Sequence, residues 1–400
     1  MKILIVHNHY QQPGGEQVAV EAQRALLRGH GHDVLTYTRH NAEILDFGLR
    51  ERALFFPRTL YSRRTYHELT ELVRRERPDI AHVHNVFPLL SPAVYRALDD
   101  AGVPTVQTIH NFRFLCPNGL FFTQGRACER CSHGFTLHAV PRRCYRDSYV
   151  LSALYATTIA FHRRVGTFGL IDHFIALSPF SAAKLVDNGL VSRDRISVVG
   201  NFLPDPLPAP GPAHRPPRVL FLGRLSPEKG VATLIEAAAH LPELTVGVLG
   251  DGPDAASLAA LARSQGLVNV EFLGKVTGEA KWAAMRQARA VVIPSVWYEH
   301  FPFVLLESMA TGTPAIASRL GSLAELIEDG QTGMLFRAGD SEDLAKKLHL
   351  LLTDGQGATA MGEHARQALE THWCAKAHLA GLLRSYELAA ATRAAKLRSR

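Results

Sequence analysis

The chain has 400 residues, of which 46% are hydrophobic and 20% charged, and its formal net charge is +7. That length exceeds one hydrophobic core and fits two domains of roughly 200 residues each, and the composition excludes a disordered chain. There is no run of about 20 apolar residues to span a bilayer. Met1-Lys2 leads directly into a strand-like run without a cleavable signal pattern, so a cytoplasmic location is expected.

In chain order, the first half alternates short apolar runs with helical stretches. Strands are predicted at Ile3–Val6, Asp33–Tyr37, Ile80–His84, Thr105–Thr108 and His173–Ala176, and helices at Glu16–Arg28, Glu68–Arg75 and Pro92–Ala101. Residues 203–217 hold seven prolines, which fix φ and remove backbone donors, so neither a helix nor a central strand runs through them. Strand–helix alternation then resumes at Arg218–Leu222, Thr245–Leu249, Val270–Phe272, Ala290–Ile293 and Ala315–Ala317. The expected fold is α/β, with two doubly wound Rossmann-like domains facing across a cleft. The expected boundaries are 1–202, with an insertion around 112–146, a linker at 203–217, a second domain at 218–362, and a helical segment at 363–400 packing across the junction.

Charge is uneven. Residues 1–200 carry 24 Lys and Arg against 17 Asp and Glu, and residues 201–400 carry 20 of each. A basic half attracts anionic partners without choosing among them.

Three motifs carry the candidate chemistry. In Glu299-His-Phe-Pro-Phe-Val-Leu-Leu-Glu307, two carboxylates lie eight positions apart where a loop enters a helix, and each can accept hydrogen bonds from paired hydroxyls. The free amides at such a helix start suit phosphate oxygens. In Phe221-Leu-Gly-Arg-Leu-Ser-Pro-Glu-Lys-Gly230, Arg224 and Lys229 follow a strand end and form a diphosphate clamp on paper. Gly14-Gly15 follows the first strand, where glycine backbone allows close approach to an anion; a plain turn is the alternative. Neither GxGxxG nor GxxxxGK[ST] occurs, which removes the main support for dinucleotide and NTPase readings. Asp99-Asp100, at a predicted helix end, is expected to face solvent.

FLGRLSPEKG at 221–230, GDGP at 250–253, EHFPFVLLESMATGTPAIAS at 299–318 and GQTGMLF at 330–336 together resemble the family-4 glycosyltransferases of the GT-B fold. The resemblance covers nearly the whole chain and is looser in the first half. It implies a retaining, metal-independent transferase that uses a nucleoside-diphosphate sugar, UDP- or GDP-linked, in polysaccharide or glycoconjugate biosynthesis. The acceptor would be a glycan, lipid-linked or small molecule. By position, Arg224 and Lys229 would contact the diphosphate, Glu299 the transferred sugar and Glu307 the ribose. Amides around Phe301, Phe303 and Val304 would line sugar and phosphate, and the Lys275-Val276 loop would meet the base. Pro302 stands where the family commonly has glycine and removes one donor. His110 matches a histidine that faces the donor sugar in similar enzymes; a structural histidine is the alternative. In the mechanism favoured for this fold, the leaving phosphate helps deprotonate the acceptor, so no side-chain nucleophile is required.

Cys116, Cys128, Cys131 and Cys144 are spaced Cx11Cx2Cx12C, which can close a tetrahedral S4 structural zinc site, with His133 or His138 as substitutes for one thiol. Reduced, semi-buried cysteines are the alternative. Residues 50–77 hold eight arginines against four acids, interleaved with Leu54, Phe55, Phe56, Leu60 and Tyr61. This suits an interfacial helix on anionic lipid, or equally a solvated helix with an apolar stripe. Two competing functions share some of these features. A basic zinc-containing nucleic-acid-binding protein leaves both donor motifs unexplained, so no nucleic-acid partner is expected. A GT-B-fold sugar-nucleotide epimerase would share the donor site and need no acceptor.

Overall fold

The computed structural model describes every residue except Pro13 and Arg400. It contains two compact units, one of Met1–Phe121, Cys128–Asn201 and His378–Arg400, the other of Phe122–Ala127 and Phe202–Ala377.

The first unit is built on six parallel strands: β1 (Lys2–His9), β2 (Asp33–His40), β3 (Ile80–Asn85), β4 (Thr105–Ile109), β5 (His173–Ala176) and β6 (Ile196–Val198). Their spatial order is β2-β1-β3-β4-β5-β6. Residues 3–8 of β1 are all buried, as a parallel strand covered on both faces requires, hence its unbroken Ile-Leu-Ile-Val run. The helix Arg63–Glu76 starts where the Ser62 hydroxyl accepts from the Thr65 amide at 3.2 Å. It begins five residues before the predicted start, because that cap offsets a polar first turn. Residues 49–76 form three helices, Leu49–Ala53, Phe55–Leu60 and Arg63–Glu76, rather than one interfacial helix.

The terminal segment does not form one element. Gly355–His372 lies in the second unit, while most of Ala375–Ser399 lies in the first. There Leu382, Tyr386 and Ala389 join Ile3, Ile5, Ile80 and Val106 in one core cluster. Arg393 locks this helix down, pairing with Asp99 at 2.5 Å and Asp172 at 2.8 Å, while Lys396 reaches Asp172 at 2.9 Å. Asp99 therefore does not face solvent as expected; it is buried because it has a buried cation to pair with. Asp100 is exposed.

The second unit has six parallel strands, β7 (Arg218–Leu222), β8 (Thr245–Leu249), β9 (Val270–Gly274), β10 (Ala290–Ile293), β11 (Ala315–Ser318) and β12 (Gly333–Phe336), in the order β9-β8-β7-β10-β11-β12. The proline-rich run is held against this unit. The Gly211 amide donates to Thr311 at 2.9 Å, Arg215 to Thr311 at 3.1 Å, and Arg366 to the Pro208 carbonyl at 2.7 Å.

Candidate functional site

Strand order in the second sheet reverses between β7 and β10, which are hydrogen-bonded neighbours. In an open parallel sheet the crevice beyond the carboxyl ends of such a pair is where ligands bind. The loop leaving β7 carries Arg224 and Lys229, and the loop leaving β10 carries Ser295, Trp297 and Glu299. Topology alone therefore brings these residues together. The fit is close: at Gly230, with φ +66°, an added Cβ would collide with the Pro294 carbonyl oxygen, and the Val296 amide donates to Glu228 at 2.9 Å.

Glu299 is the centre of this cluster. Its Oε1 accepts from Lys229 Nζ at 2.7 Å, Ser295 Oγ at 2.7 Å and Trp297 Nε1 at 3.0 Å. Lys229 Nζ also lies 5.2 Å from the centroid of the Trp297 ring. Burial pushes the Glu299 carboxyl up, but the Lys229 charge and the three hydrogen bonds outweigh it, so its pKa is lowered and it stays anionic. Arg224, by contrast, is exposed and makes no hydrogen bond or ion pair among the described residues, so its fork is available to a ligand.

Glu307 lies one turn inside the helix Phe303–Ala310 and pairs with Lys281 at 2.6 Å. Here burial outweighs the lysine and raises the carboxyl pKa. The helix begins at Pro302 without a side-chain cap, so the first-turn amides of Phe303 and Val304 have no partner within the helix. Phe301 is buried with its ring 5.7 Å from that of Trp373. Val276 is half-buried in the loop after β9.

The first sheet reverses between β1 and β3, and a second cluster stands at that point. His110 follows β4 directly, and its Nε2 lies 2.9 Å from His84 Nδ1. Rings of His82, His84 and His110 stack with centroids 4.3 and 5.2 Å apart. His82 is fixed in turn by Thr108 Oγ1 at 2.7 Å and Tyr386 Oη at 2.9 Å. Burial pushes His82 down to about 3 and His84 well below its ordinary value, so both rings are neutral. A neutral relay of this kind fixes the orientation of the His110 ring.

Gly14 caps the first helix, Gly15–Gly29, with no side-chain hydrogen bond. The residue after the pair, Glu16, was not among the expected site residues. Asn111 Nδ2 donates to it at 3.4 Å and to Tyr10 Oη at 3.1 Å. His7 Nδ1 is 3.6 Å from its Oε1, and that oxygen has no hydrogen-bond partner. Burial raises Glu16 to about 8 against the opposing pull of Arg113 and its hydrogen bonds. Sequence reasoning also passed over Ser295, Trp297 and Lys281. Ser295 and Trp297 lie within four residues of Glu299, which was signal enough to find them; Lys281 sits on a separate helix and had none.

Cys116, Cys128, Cys131 and Cys144 are free thiols. Among the described residues no group of three or more His, Cys, Asp or Glu side chains is arranged to hold a metal ion. Two of the sulfurs turn toward protein acceptors, Cys116 to Asn118 Oδ1 at 3.0 Å and Cys131 to the Thr136 carbonyl at 3.5 Å. His133 and His138 are exposed.

The family model for glycosyltransferase family 4 matches residues 13–207, and that for glycosyl transferases group 1 matches residues 208–368. The chain belongs to the family-4 glycosyltransferases. This family member is 40% identical over 142 residues to a phosphatidyl-myo-inositol mannosyltransferase of Mycobacterium leprae, covering 34% of this chain and 37% of that protein. It is 35% identical over 244 residues to a D-inositol 3-phosphate glycosyltransferase of Nocardia farcinica, covering 54% and 53%. The matched stretch spans 30–41% of the length of the first curated relatives. In fold, it superposes on Anabaena HepE in complex with UDP and glucose, with TM-score 0.68, 20% identity and coverage of 97% and 99%. Sucrose-phosphate synthase of Thermosynechococcus elongatus gives 0.70, 19%, 96% and 98%. These structures share the GT-B fold with this family member.

Proposed function

We propose that the protein is a retaining glycosyltransferase that moves a sugar from a nucleoside-diphosphate sugar, UDP- or GDP-linked, to a glycan, lipid-linked or small-molecule acceptor. The observation that carries this reading is the switch-point cluster in which Lys229 and Glu299 pair beside the open fork of Arg224. Arg224 and Lys229 face the diphosphate with the free amides of Phe303 and Val304. Glu299, kept anionic, accepts from hydroxyls of the transferred sugar; Glu307 takes the ribose, and the loop at Val276 the base. That HepE was solved with UDP and glucose, and that the mannosyltransferase is similar in sequence, supports a donor of this class. Gly14, Gly15 and His110 lie in the first unit, with His110 held in one orientation by the neutral histidines behind it. Negative charge grows on the leaving phosphate as the glycosidic bond breaks, so fixed cations there act on the transition state. The leaving phosphate serves as the base for the acceptor, and catalysis needs no metal.

The test is a thermal-shift panel of UDP, GDP and their sugars, followed by NMR of the sugar released when water is the acceptor. A ligand at 100 times its Kd stabilises by about 2.7 kcal/mol. The expected results are stabilisation by one nucleotide series, unaffected by chelator, and an α-linked donor giving α-sugar first. No response to any nucleotide sugar, or an epimerised sugar nucleotide as product, contradicts the proposal.

The basic face of the first unit supports peripheral contact with an anionic membrane. No helix among the described residues is long and apolar enough to cross one. Leu45 and Leu49 are 71% and 88% exposed, beside the exposed Arg50, Arg52, Arg58 and Arg63. Apolar side chains among cations are what an anionic interface binds. Sedimentation with phosphatidylserine vesicles should weaken with salt and on Arg63→Glu/Arg64→Glu; absence of binding at low salt refutes this part.

A further inference from the structure

Glu307 sits where a carboxylate is costly to keep. Its side chain is 15% exposed, and its one ion pair among the described residues is with Lys281, whose Nζ lies 2.6 Å from Oε1. Lys281 comes from outside the motif, on the helix Gly278–Gln287. That helix is fixed against the segment carrying Glu307. Met285, one turn on from Lys281, is fully buried. Thr313, three residues past the end of Phe303–Ala310, donates from its hydroxyl to the Met285 carbonyl at 2.8 Å. The ammonium is held from a second side as well, because Nζ lies 4.6 Å from the centroid of the Trp282 ring. A long, flexible side chain is thereby kept in one place, with its charge on Glu307.

The pair bears on what Glu307 can hold. An ionised carboxylate accepts at both oxygens, with lone pairs to spare beside the bond to Lys281, so two neighbouring hydroxyls can donate to it. Protonation turns one oxygen into a donor and leaves one of those hydroxyls without its acceptor. Burial favours the protonated form and an adjacent cation opposes it, and these are the two influences acting on Glu307, in that order. The other cations nearby are committed elsewhere. Lys229 is on Glu299 at 2.7 Å, and Arg286, on the same helix as Lys281, is on Glu279. On the helix Gly355–His372, packed against that of Glu307, Arg366 is taken by Glu370 and the Ala310 carbonyl. Glu363, His364 and His372 of that helix are exposed. Without Lys281, burial acts on Glu307 unopposed.

We propose that Lys281 is a positioning residue for donor recognition: paired with Glu307, it keeps that side chain an acceptor at both oxygens for the 2′- and 3′-hydroxyls of the donor's ribose, and so makes the site select ribonucleotides over 2′-deoxyribonucleotides. The inference rests on the reading of Glu307 as the ribose-binding residue. Lys281 acts through Glu307 and does not itself touch the nucleotide. A site built to accept from a hydroxyl rejects the analogue lacking it, because the buried acceptor is then left unpaired. That selectivity needs the charge, which Lys281 supplies.

The test is calorimetric titration of the full chain with UDP, GDP and their 2′-deoxy counterparts between about pH 6 and pH 9, a range in which a carboxyl raised by burial ionises. The wild type should prefer the ribose form about ten-fold or more, the worth of a hydrogen bond to a charged group. Lys281→Met should lose most of that preference at the acid end and regain it as pH rises, since the carboxyl left to burial alone ionises only there. Lys281→Arg should behave as the wild type. Glu307→Gln should lose the preference at every pH, and adding Lys281→Met to it should change nothing further. Where Lys281→Met does not fold, Lys281→Gln, which keeps a hydrogen-bond donor without the charge, carries the same pH test. A wild-type preference in the uncharged Lys281 variant across the whole range overturns the proposal. So does an equal loss of affinity from Lys281→Met in the Glu307→Gln background, which would mean that the lysine touches the nucleotide itself. Wild-type protein that binds none of these nucleotides sinks the donor-site reading, and this inference with it.

Discussion

Lys229→Ala removes the cation that pairs with Glu299 and keeps it ionised inside the protein. The Glu299 side chain is 7% exposed and that of Lys229 24%. Removing one partner of a buried pair costs about 3–5 kcal/mol, and because Lys229 reaches solvent the low end, about 3 kcal/mol, is expected. Ser295 and Trp297 remain as donors but bring no charge, so burial then dominates and the Glu299 pKa rises instead of falling. The pH profile inverts with it. In the wild type the depressed carboxyl contributes stability above its unfolded value of 4.5 that is lost as pH falls through the lower folded value. In Lys229→Ala the raised carboxyl makes the second unit lose stability as pH rises above about 4.5. Tryptophan fluorescence in urea isolates this effect, since Trp282, Trp297 and Trp373 all lie in the second unit. Glu299→Gln should rescue much of the loss: Lys229→Ala/Glu299→Gln should be less destabilised than the sum of the single variants by at least about 1 kcal/mol. Additive losses, or a Lys229→Ala profile parallel to the wild type, refute the reasoning.

Glu16→Gln should stabilise the first unit, and the gain should grow as pH rises from 4.5 toward about 8, the window in which the native protein holds a proton on Glu16 that the unfolded chain releases; the groups facing it are His7, Tyr10 and Arg113. Hydrogen exchange of residues 1–121 measures this, and a gain independent of pH contradicts it. Arg393→Ala removes the buried charge beside Asp99 and leaves Asp172 with Lys396 alone, with an expected cost of about 3–5 kcal/mol. Amide exchange over 378–399 should rise by two orders of magnitude or more; unchanged protection would show that Leu382 and Tyr386 alone hold the helix.

The two sheets were readable because parallel strands buried on both faces leave short apolar runs, as in Ile3–Val6 and Ala290–Ile293. Strands β6 and β12 were harder: Ile196-Ser-Val198 and Gly333-Met-Leu-Phe336 are too short to show a period, and only pairing defines them. Glu299 and Lys229 were legible as motif residues, but their pairing across 70 positions depends on strand order, which no local pattern encodes. The burial of Asp99 was unreadable for the same reason, since its partner Arg393 is 294 residues away. Glu16 was hidden differently. An acidic residue in a first helical turn is ordinary, and only the fold shows that it is buried against His7 and Asn111.

Donor kinetics of Arg224→Ala beside Glu307→Ala, on protein shown by circular dichroism to be folded, test the central claim most directly. Arg224 is exposed and unpaired, so its loss should leave stability unchanged. It should lower kcat by 10²–10³, about 3–4 kcal/mol, because its contact strengthens as charge develops on the leaving phosphate. On the proposed reading Glu307 holds a part of the donor remote from the reacting carbon, so the effect of Glu307→Ala should fall on donor KM. Wild-type kcat/KM in Arg224→Ala would contradict the assignment of the donor site to the ends of β7 and β10.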